Sequence, residues 1–342
     1  MVSYDDIYEI RLAQKEEIPA IMSFIKDCWS ENHIMARDRA LFEYEFAYDN
    51  EVNMVIAKRH NSDEIEGIFG FLYSSNDKEK RDIWGSIWKV REGNKALLGV
   101  EILRRMVILS KCRYSLDVGA NTKTTVPIVK RMLNYCTDKM NQYYILSDKY
   151  KGNFKIAKVT NYCFEKELVS DKNYDVHILD RENIKKFFDC SKIELDEMIP
   201  YKDYWLIERK YLNHPQRKYK VYGIFYQNQI KGLIIIRVEH KDDRAAVRFV
   251  DYIGDEKYLE GTKVFWKNLL VEQNAEYVDF YEHGFDSGPL EKAGFIRRVE
   301  NDSNIIPNYF SPFIQENVDI WTYSSVNGYR ACKADGDQDR PN

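Results

Sequence analysis

Tyr8-Glu-Ile-Arg-Leu-Ala-Gln-Lys-Glu-Glu-Ile18 returns 166 residues later as Tyr174-Asp-Val-His-Ile-Leu-Asp-Arg-Glu-Asn-Ile184. Both copies alternate apolar and polar residues like a strand, pass a polar turn and open a run with helical spacing. Further along, Ile65-Glu-Gly-Ile-Phe-Gly-Phe71 is echoed by Ile230-Lys-Gly-Leu-Ile-Ile-Ile236 at an offset of 165. The strand that ends at Gly119 is echoed at the same offset by one that ends at Gly284. Pro127-Ile-Val-Lys-Arg-Met132 matches Pro289-Leu-Glu-Lys-Ala-Gly294 at an offset of 162. Each match is short, but four in one order, with offsets drifting by a few residues, mark an internal duplication. Drift of that size is what loop insertions produce.

Periodicity fills in each half. The first begins with a strand, Tyr8–Leu12, and a helix that carries Ile18, Ile21, Met22 and Ile25 on one face. A hairpin of Asn53–Lys58 and Ile65–Tyr73 follows, then a strand Asp82–Val90, a glycine-containing stretch Glu92–Gly99 and a helix Val100–Lys111. A strand Cys112–Val118, a helix Val126–Asn134 and strands through Tyr143–Leu146 and Phe154–Val159 close it. The second half repeats this with Lys220–Phe225, Ile230–Glu239, Ala245–Ile253, helix Leu259–Gln273, strand Tyr277–Tyr281 and helix Gly288–Ala293. The polar stretch Ser170–Asn173 is the expected boundary, which divides the chain into 1–170 and 171–342. Such an order is α+β, with a mixed, mostly antiparallel sheet in each half.

Composition narrows the function. A length of 342 residues suits two domains, and 44% hydrophobic with 31% charged residues excludes a largely disordered chain. Fifty-one basic against 55 acidic residues give a net charge of −4, which argues against a nucleic-acid partner. The longest strong apolar run, Gly232–Val238, is far below the roughly 20 residues of a membrane-spanning helix. The N-terminus has no secretory pattern, and the six cysteines contain no CxxC pair for zinc. The expectation is a reduced, cytoplasmic protein with no metal and no membrane insertion. Metalloprotease, P-loop, nucleophile-elbow and dinucleotide motifs are all absent from the sequence. The acidic tail after Asp335 lacks the loop glycine and terminal glutamate of a calcium-binding EF-hand.

The element order, with PLEKAGFIRR (Pro289–Arg298) and EIRLAQKEEIPAIMSFI (Glu9–Ile25), resembles the GNAT acyltransferase fold. Two such domains in one chain resemble the tandem-GNAT, FemABX-like group. More narrowly, His33–Phe46, Ile306–Phe313 and Lys333–Asn342 are similar to bacterial N-acyltransferases that acylate nucleotide-linked amino sugars for surface polysaccharide such as O-antigen. The resemblance spans nearly the whole chain. It implies acyl-CoA as co-substrate, a dTDP- or UDP-linked amino sugar as acceptor, and a monomer or homodimer.

It also implies where the chemistry sits. GNAT enzymes hold the CoA pyrophosphate on backbone amides of a glycine-rich turn that opens a helix, where unpaired N–H groups and the helix dipole favour an anion. Here the matching residues are Val90, Arg91, Gly93, Leu98, Gly99 and Val100, with Asn121 near the CoA arm. The two glycines stand six apart rather than close together, so an ordinary turn into a helix is the plain alternative. The second half keeps one glycine, Gly261, beside Asp255, Glu256 and Glu260, which would repel a diphosphate. The donor is therefore expected in the first domain.

Strand alternation places Asp82, Trp84, Ser86, Trp88 and Val90 on one face. Ser86 then donates to the oxyanion or positions the amine while Trp84 and Trp88 wall the site; the alternative is two core tryptophans and a satisfied strand serine. Val129, and Leu290 or Glu291, stand where many GNAT enzymes use a tyrosine as general acid. Base candidates are His33, after the first helix, and His283, at a strand end; both also fit simple packing, as His60, His177, His214 and His240 do. Arg37 or Arg39, and Arg340 if the tail folds back, are candidates for the acceptor's phosphates, against the alternatives of solvated charges and a mobile terminus. Two other functions fit the fold: FemX-like aminoacyl transfer from a charged tRNA, opposed by the net charge, and an inactive GNAT pair serving as a binding module.

Overall fold

The duplication is one of sheets. The computed structural model describes residues 3–48, 51–62, 64–162 and 172–341, without the side chains of 192–194. In chain order the first half forms β1 (Tyr8–Ala13), α1 (Ile18–Cys28), α2 (Ile34–Arg37), α3 (Arg39–Phe46), β2 (Ala47–Tyr48), β3 (Glu51–Arg59) and β4 (Ile65–Tyr73). It continues with β5 (Ile83–Val90), α4 (Leu98–Ser110), β6 (Ser115–Val118), α5 (Thr125–Met132) and β7 (Cys136–Lys139). Next come β8 (Asn141–Leu146), β9 (Asp175–Ile178), α6 (Arg181–Asp196), α7 (Tyr204–Ile207), β10 (Lys220–Tyr226), β11 (Gln229–Lys241) and β12 (Arg244–Gly254). The chain ends with α8 (Lys263–Glu272), β13 (Ala275–His283), α9 (Ser287–Lys292), β14 (Ile296–Arg297), the hairpin β15 (Tyr309–Phe310) and β16 (Phe313–Ile314), β17 (Trp321–Ser324) and β18 (Ala331–Cys332).

The first sheet runs β1-β3-β4-β5-β6-β17-β7 and the second β14-β8-β13-β12-β11-β10-β9. The run β1-β3-β4-β5-β6 thus has the same order as β9-β10-β11-β12-β13. In each run the last pair is parallel and the earlier pairs antiparallel. Register repeats too: Gly67 lies opposite Val90, and Gly232 opposite Gly254. The final strand of each half is exchanged, since β8 joins the second sheet beside β13 and β17 joins the first beside β6.

This exchange moves the division of the chain. One unit comprises Met1–Thr137, Tyr323–Asn327 and Gly336–Asn342; the other comprises Asp138–Thr322 and Gly328–Asp335. The expected split into 1–170 and 171–342 therefore differs from the compact units, because strand 141–146 pairs with β13 and not with the first sheet. Within the expected linker, 170 and 171 lie outside the described residues, as does Cys163.

In the first unit, α1 buries Ile18, Ile21, Phe24 and Ile25, the stripe its spacing predicts. β4 is buried along its whole length, so both faces of the sheet are covered there. Two of its glycines show by what. A Cβ on Gly67 would lie 2.5 Å from Ile102 of α4, and one on Gly70 2.8 Å from Phe46 of α3. Helix α4 therefore packs on one face, and α3 on the other. The second unit has its own cores, one around Phe249, Trp266 and Phe280 and another around Ile184, Phe187, Ile235 and Ile253.

Two predicted elements differ. Phe154–Val159 forms no strand; its Lys158 makes one bridge to Ile305. The backbone amides of Lys155, Ile156 and Ala157 instead converge on the Glu276 carboxylate, at 2.7, 2.8 and 3.1 Å, which curls the chain. The helix expected over Leu259–Gln273 is broken at Thr262 into a 3-10 segment, Glu256–Gly261, and α8. No helix among the described residues is long and apolar enough to cross a membrane.

Candidate functional site

β5 and β6 pair only at Ile83–Ser115 and Trp84–Leu116, and diverge beyond. On the other edge of β5 the ladder slips: Trp88 opposes Phe69, and Gly85 opposes Phe71. Ser86 and Ile87 thus share the place opposite Gly70, a β-bulge where the strands part. The bulge breaks the alternation expected along Asp82–Val90. Trp88 stacks on Phe69 at 5.2 Å, the ring that a Cβ on Gly85 would also meet, so Trp88 faces away from Ser86 toward α4. Trp84 is 1% exposed and is core, which removes it as a wall of the site.

The turn after Val90 is held from the sheet side. Arg91 donates its backbone N–H to Glu66 O at 2.8 Å, and Asn94 Nδ2 donates to the same oxygen at 3.0 Å. The Arg91 guanidinium lies 5.7 Å from the Phe24 ring centre. Tyr4 Oη donates to Ala96 O at 2.6 Å. Gly93 takes φ +80°, with nothing within 4 Å of where a Cβ would sit. Leu97, 58% exposed, takes the left-handed φ of +63° and so turns the chain into α4 without a second nearby glycine. No side chain caps α4. Its first turn, with Leu98 buried and Gly99 against the Trp88 indole, presents the positive end of the helix dipole. Asn121 Oδ1 accepts from the backbone amides of Lys123 and Thr124 at 2.8 and 3.1 Å, a local turn into α5.

On the opposite face, the C-terminal segment folds onto the bulge. Gly336 packs on Trp84 and Gly85, and Gln338 fills the space where a Cβ on Gly119, at φ +98°, would stand. Ser86 Oγ donates to Asp337 Oδ2 at 2.6 Å and accepts from Arg340 Nη2 at 2.9 Å. Arg340 also donates through Nη1 to Asp337 Oδ2 and through Nε to Glu45 Oε2, both at 2.8 Å. Its side chain is 8% exposed and lies against the Phe46 ring. The expected phosphate partner is thus a guanidinium enclosed by two carboxylates and a hydroxyl. Burial, and then the charge of Asp337, push the Asp117 carboxyl well above the usual carboxylate range.

His33 reaches this cluster in an unexpected role. Its Nδ1 accepts the Met35 amide at 3.2 Å and caps α2, which fixes the ring proton on Nε2. Desolvation, with the nearby Arg340 charge, lowers its pKa below that of an ordinary imidazole. A neutral ring with Nδ1 engaged and Nε2 protonated offers a donor and no free lone pair, so the geometry runs against a base at His33. Arg37 is exposed, and Arg39 pairs with Glu43 at 2.7 Å on the surface. In the sequence Asp337 stands out only as part of an acidic tail that fails as a calcium loop, and Glu45 only as part of the stretch His33–Phe46. The signal that pointed toward them is the expected fold-back of the tail with Arg340.

The second unit treats the equivalent place differently. β12 and β13 pair as far as Phe249–Phe280, and Ala331–Asp335 then enters between them. β18 pairs with β13, Lys333 donates its amide to Tyr281 O, and Ala334 donates to Val250 O at 2.9 Å on β12. Lys202 bridges Asp251 and Asp335 at 2.7 and 2.6 Å and pins the segment. Asp251, Cys332 and Asp335 offer ligand atoms within 4.8 Å of one another, but the Lys202 ammonium already supplies the positive charge. The turn before α8 is closed by the 3-10 segment, with Gly261 against the Tyr174 ring. His283 belongs to this unit, its ring tilted against that of Tyr329 at 4.5 Å, with its pKa lowered by burial. Beside it the buried Glu282 is pushed up to about 7, chiefly by desolvation.

No protein-family model and no curated protein sequence matches the chain. In structure it is similar to a GCN5-related N-acetyltransferase from Anabaena variabilis, with 11% identity and a TM-score of 0.57 over 93% of this chain and 72% of that one. It is also similar to a conserved protein of Enterococcus faecalis, with 10% identity and a TM-score of 0.54 over the same shares. The likeness is one of fold. The chain is α+β, with two tandem GNAT-like units.

Proposed function

We propose that the protein is an acyl-CoA-dependent N-acyltransferase whose donor binds the first unit and whose acceptor is the amine of a nucleotide-linked amino-deoxysugar. The observation that carries the reading is the contrast between the two splayed strand pairs. In the first unit the strands part at a bulge, beside an uncapped thirteen-residue helix and a turn shaped by Gly93 and Leu97. In the second unit the gap is occupied by the chain itself. A thioester that enters between β5 and β6 would set its diphosphate against the first turn of α4 and its carbonyl near the bulge, where backbone amides stabilise a developing oxyanion. Val90, Arg91, Gly93, Leu98, Gly99 and Val100 line that path, and Trp88 flanks it.

The acceptor assignment rests on the tail, whose sequence resembles the amino-sugar enzymes and whose residues fold onto Ser86. Arg340 is committed within the protein, so exposed Arg37 is the better candidate for the acceptor's phosphates. Val129, fully buried on α5, stands where the family's tyrosine would protonate the thiolate, and CoA then leaves with a proton from the amine.

Thermal shift with CoA, acetyl-CoA, dTDP-sugars and UDP-sugars, alone and in pairs, tests the reading. A ligand at a hundredfold excess over Kd stabilises by about 2.7 kcal/mol. A shift with CoA plus one nucleotide is expected. No shift with any CoA species would favour a binding module.

A further inference from the structure

We infer that Asp337 is the carboxylate that receives the acceptor's ammonium group and takes its proton, with Ser86 and Arg340 as its positioning residues. The inference rests on the acyltransferase reading and names the group that the site presents to the acceptor. Both contacts to the Asp337 carboxylate, from Ser86 and Arg340, fall on Oδ2. Oδ1 makes no hydrogen bond among the described residues, and the side chain is 23% exposed. One oxygen is pinned and the other carries no hydrogen bond on a partly exposed side chain, the arrangement of a carboxylate held for an incoming donor.

Charge supports the same assignment. Arg340 is shared by two carboxylates, Glu45 and Asp337, so the trio carries one uncompensated negative charge. Of the groups around it, Arg37, exposed and near His33, carries a positive charge, and the others are uncharged. His33, Asp117 on β6 and Tyr323 on β17 are all pushed toward their neutral forms, chiefly by burial. A diphosphate would be repelled here, whereas an alkylammonium would be attracted. Position agrees as well, because Ser86 sits in the bulge where β5 leaves β6.

The step balances without a further reactant. The ammonium gives one proton to Asp337 Oδ1, and the free amine adds to the thioester carbonyl, forming the C–N bond. As the C–S bond breaks, the proton left on the adduct's nitrogen passes to sulfur and CoA departs as the thiol. Asp337 then returns its proton to water.

The test is thiol release from acetyl-CoA by the full-length protein, with a dTDP-linked and a UDP-linked 4-amino-4,6-dideoxyhexose and with hydroxylamine as a generic amine. Asp337→Asn should lower kcat/KM by about a hundredfold or more at pH 7. With the amino sugars its residual rate should rise roughly tenfold per pH unit below the amine's pKa, since only the free amine then reacts, whereas hydroxylamine, already mostly the free base at pH 7, should show no such rise. The thermal shift given by CoA should be unchanged, and Asp337→Glu should recover part of the rate. An Asp337→Asn protein that keeps its rate within threefold and its pH profile overturns the inference and leaves the acyltransferase reading standing. A wild type that binds CoA but releases no thiol with any of the three amines overturns the inference and the acyltransferase reading together and favours a binding module. A wild type that neither binds CoA nor releases thiol overturns the acyltransferase reading, and this inference with it.

Discussion

Individual side chains in this protein hold roles their sequence context does not announce. Ser86 and Asp337 are 251 residues apart, and only the folded tail joins them. Arg340 lies between two carboxylates, so Arg340→Met should leave both without their cation and cost about 3–5 kcal/mol in urea unfolding. His33 looked like a base because of its loop, yet its Nδ1 is a helix cap. His33→Asn, which also caps, should keep activity within about threefold, while His33→Ala should lose about 1 kcal/mol of stability. Glu282 gives a pH test. Its folded pKa of about 7 lies above the ordinary 4.5, so between those values the folded protein holds a proton that the unfolded chain releases. Stability should therefore fall as pH rises through that window, by at most about 3 kcal/mol, and level off above it. Urea midpoints at pH 5 and pH 8 should differ in the wild type and converge in Glu282→Gln.

Among the elements, periodicity was a good guide wherever the backbone follows its period. Strands β1, β3, β4, β10, β11 and β12 and helix α1 lie within a few residues of their expected bounds. The departures have local causes that no period encodes. The bulge at Ser86 and Ile87 adds one residue to β5, which reverses the face that Trp88 takes and leaves Trp84 in the core. The Glu276 carboxylate captures three amides and dissolves an expected strand. The donor turn was visible as a glycine-containing stretch before a helix. That Leu97 would supply the left-handed turn was not, since an exposed leucine at φ +63° is uncommon. Leu97→Gly should relieve that conformation and raise stability by about 1 kcal/mol, read as a higher urea midpoint. Gly99→Asp would set a carboxylate at the first turn of α4, where it favours the helix and repels a diphosphate. A Cβ there would stand 3.3 Å from the Trp88 indole, so circular dichroism first checks that the variant is folded; CoA affinity should then fall tenfold or more, by calorimetry.

Over the whole molecule, the duplication was legible and its consequences were not. Four short echoes in sequence correspond to two sheets with one strand order and one parallel pair each. The exchange of β8 and β17 is invisible to any local pattern, because a strand's partner is set by topology rather than by its own residues. The same holds for the C-terminal segment, whose residues 331–335 fill the gap in the second unit while 336–341 fold onto the first. Chains cut at residue 170 should therefore fail to give two stable halves, since each would lack a strand of its sheet; circular dichroism of the separate fragments checks this. On the proposed function the first unit has one donor site and the second has none. Titration calorimetry of the 342-residue protein with acetyl-CoA counts those sites. The prediction is one site per chain, abolished by Gly99→Asp. Two sites per chain, or no binding at all, would contradict it.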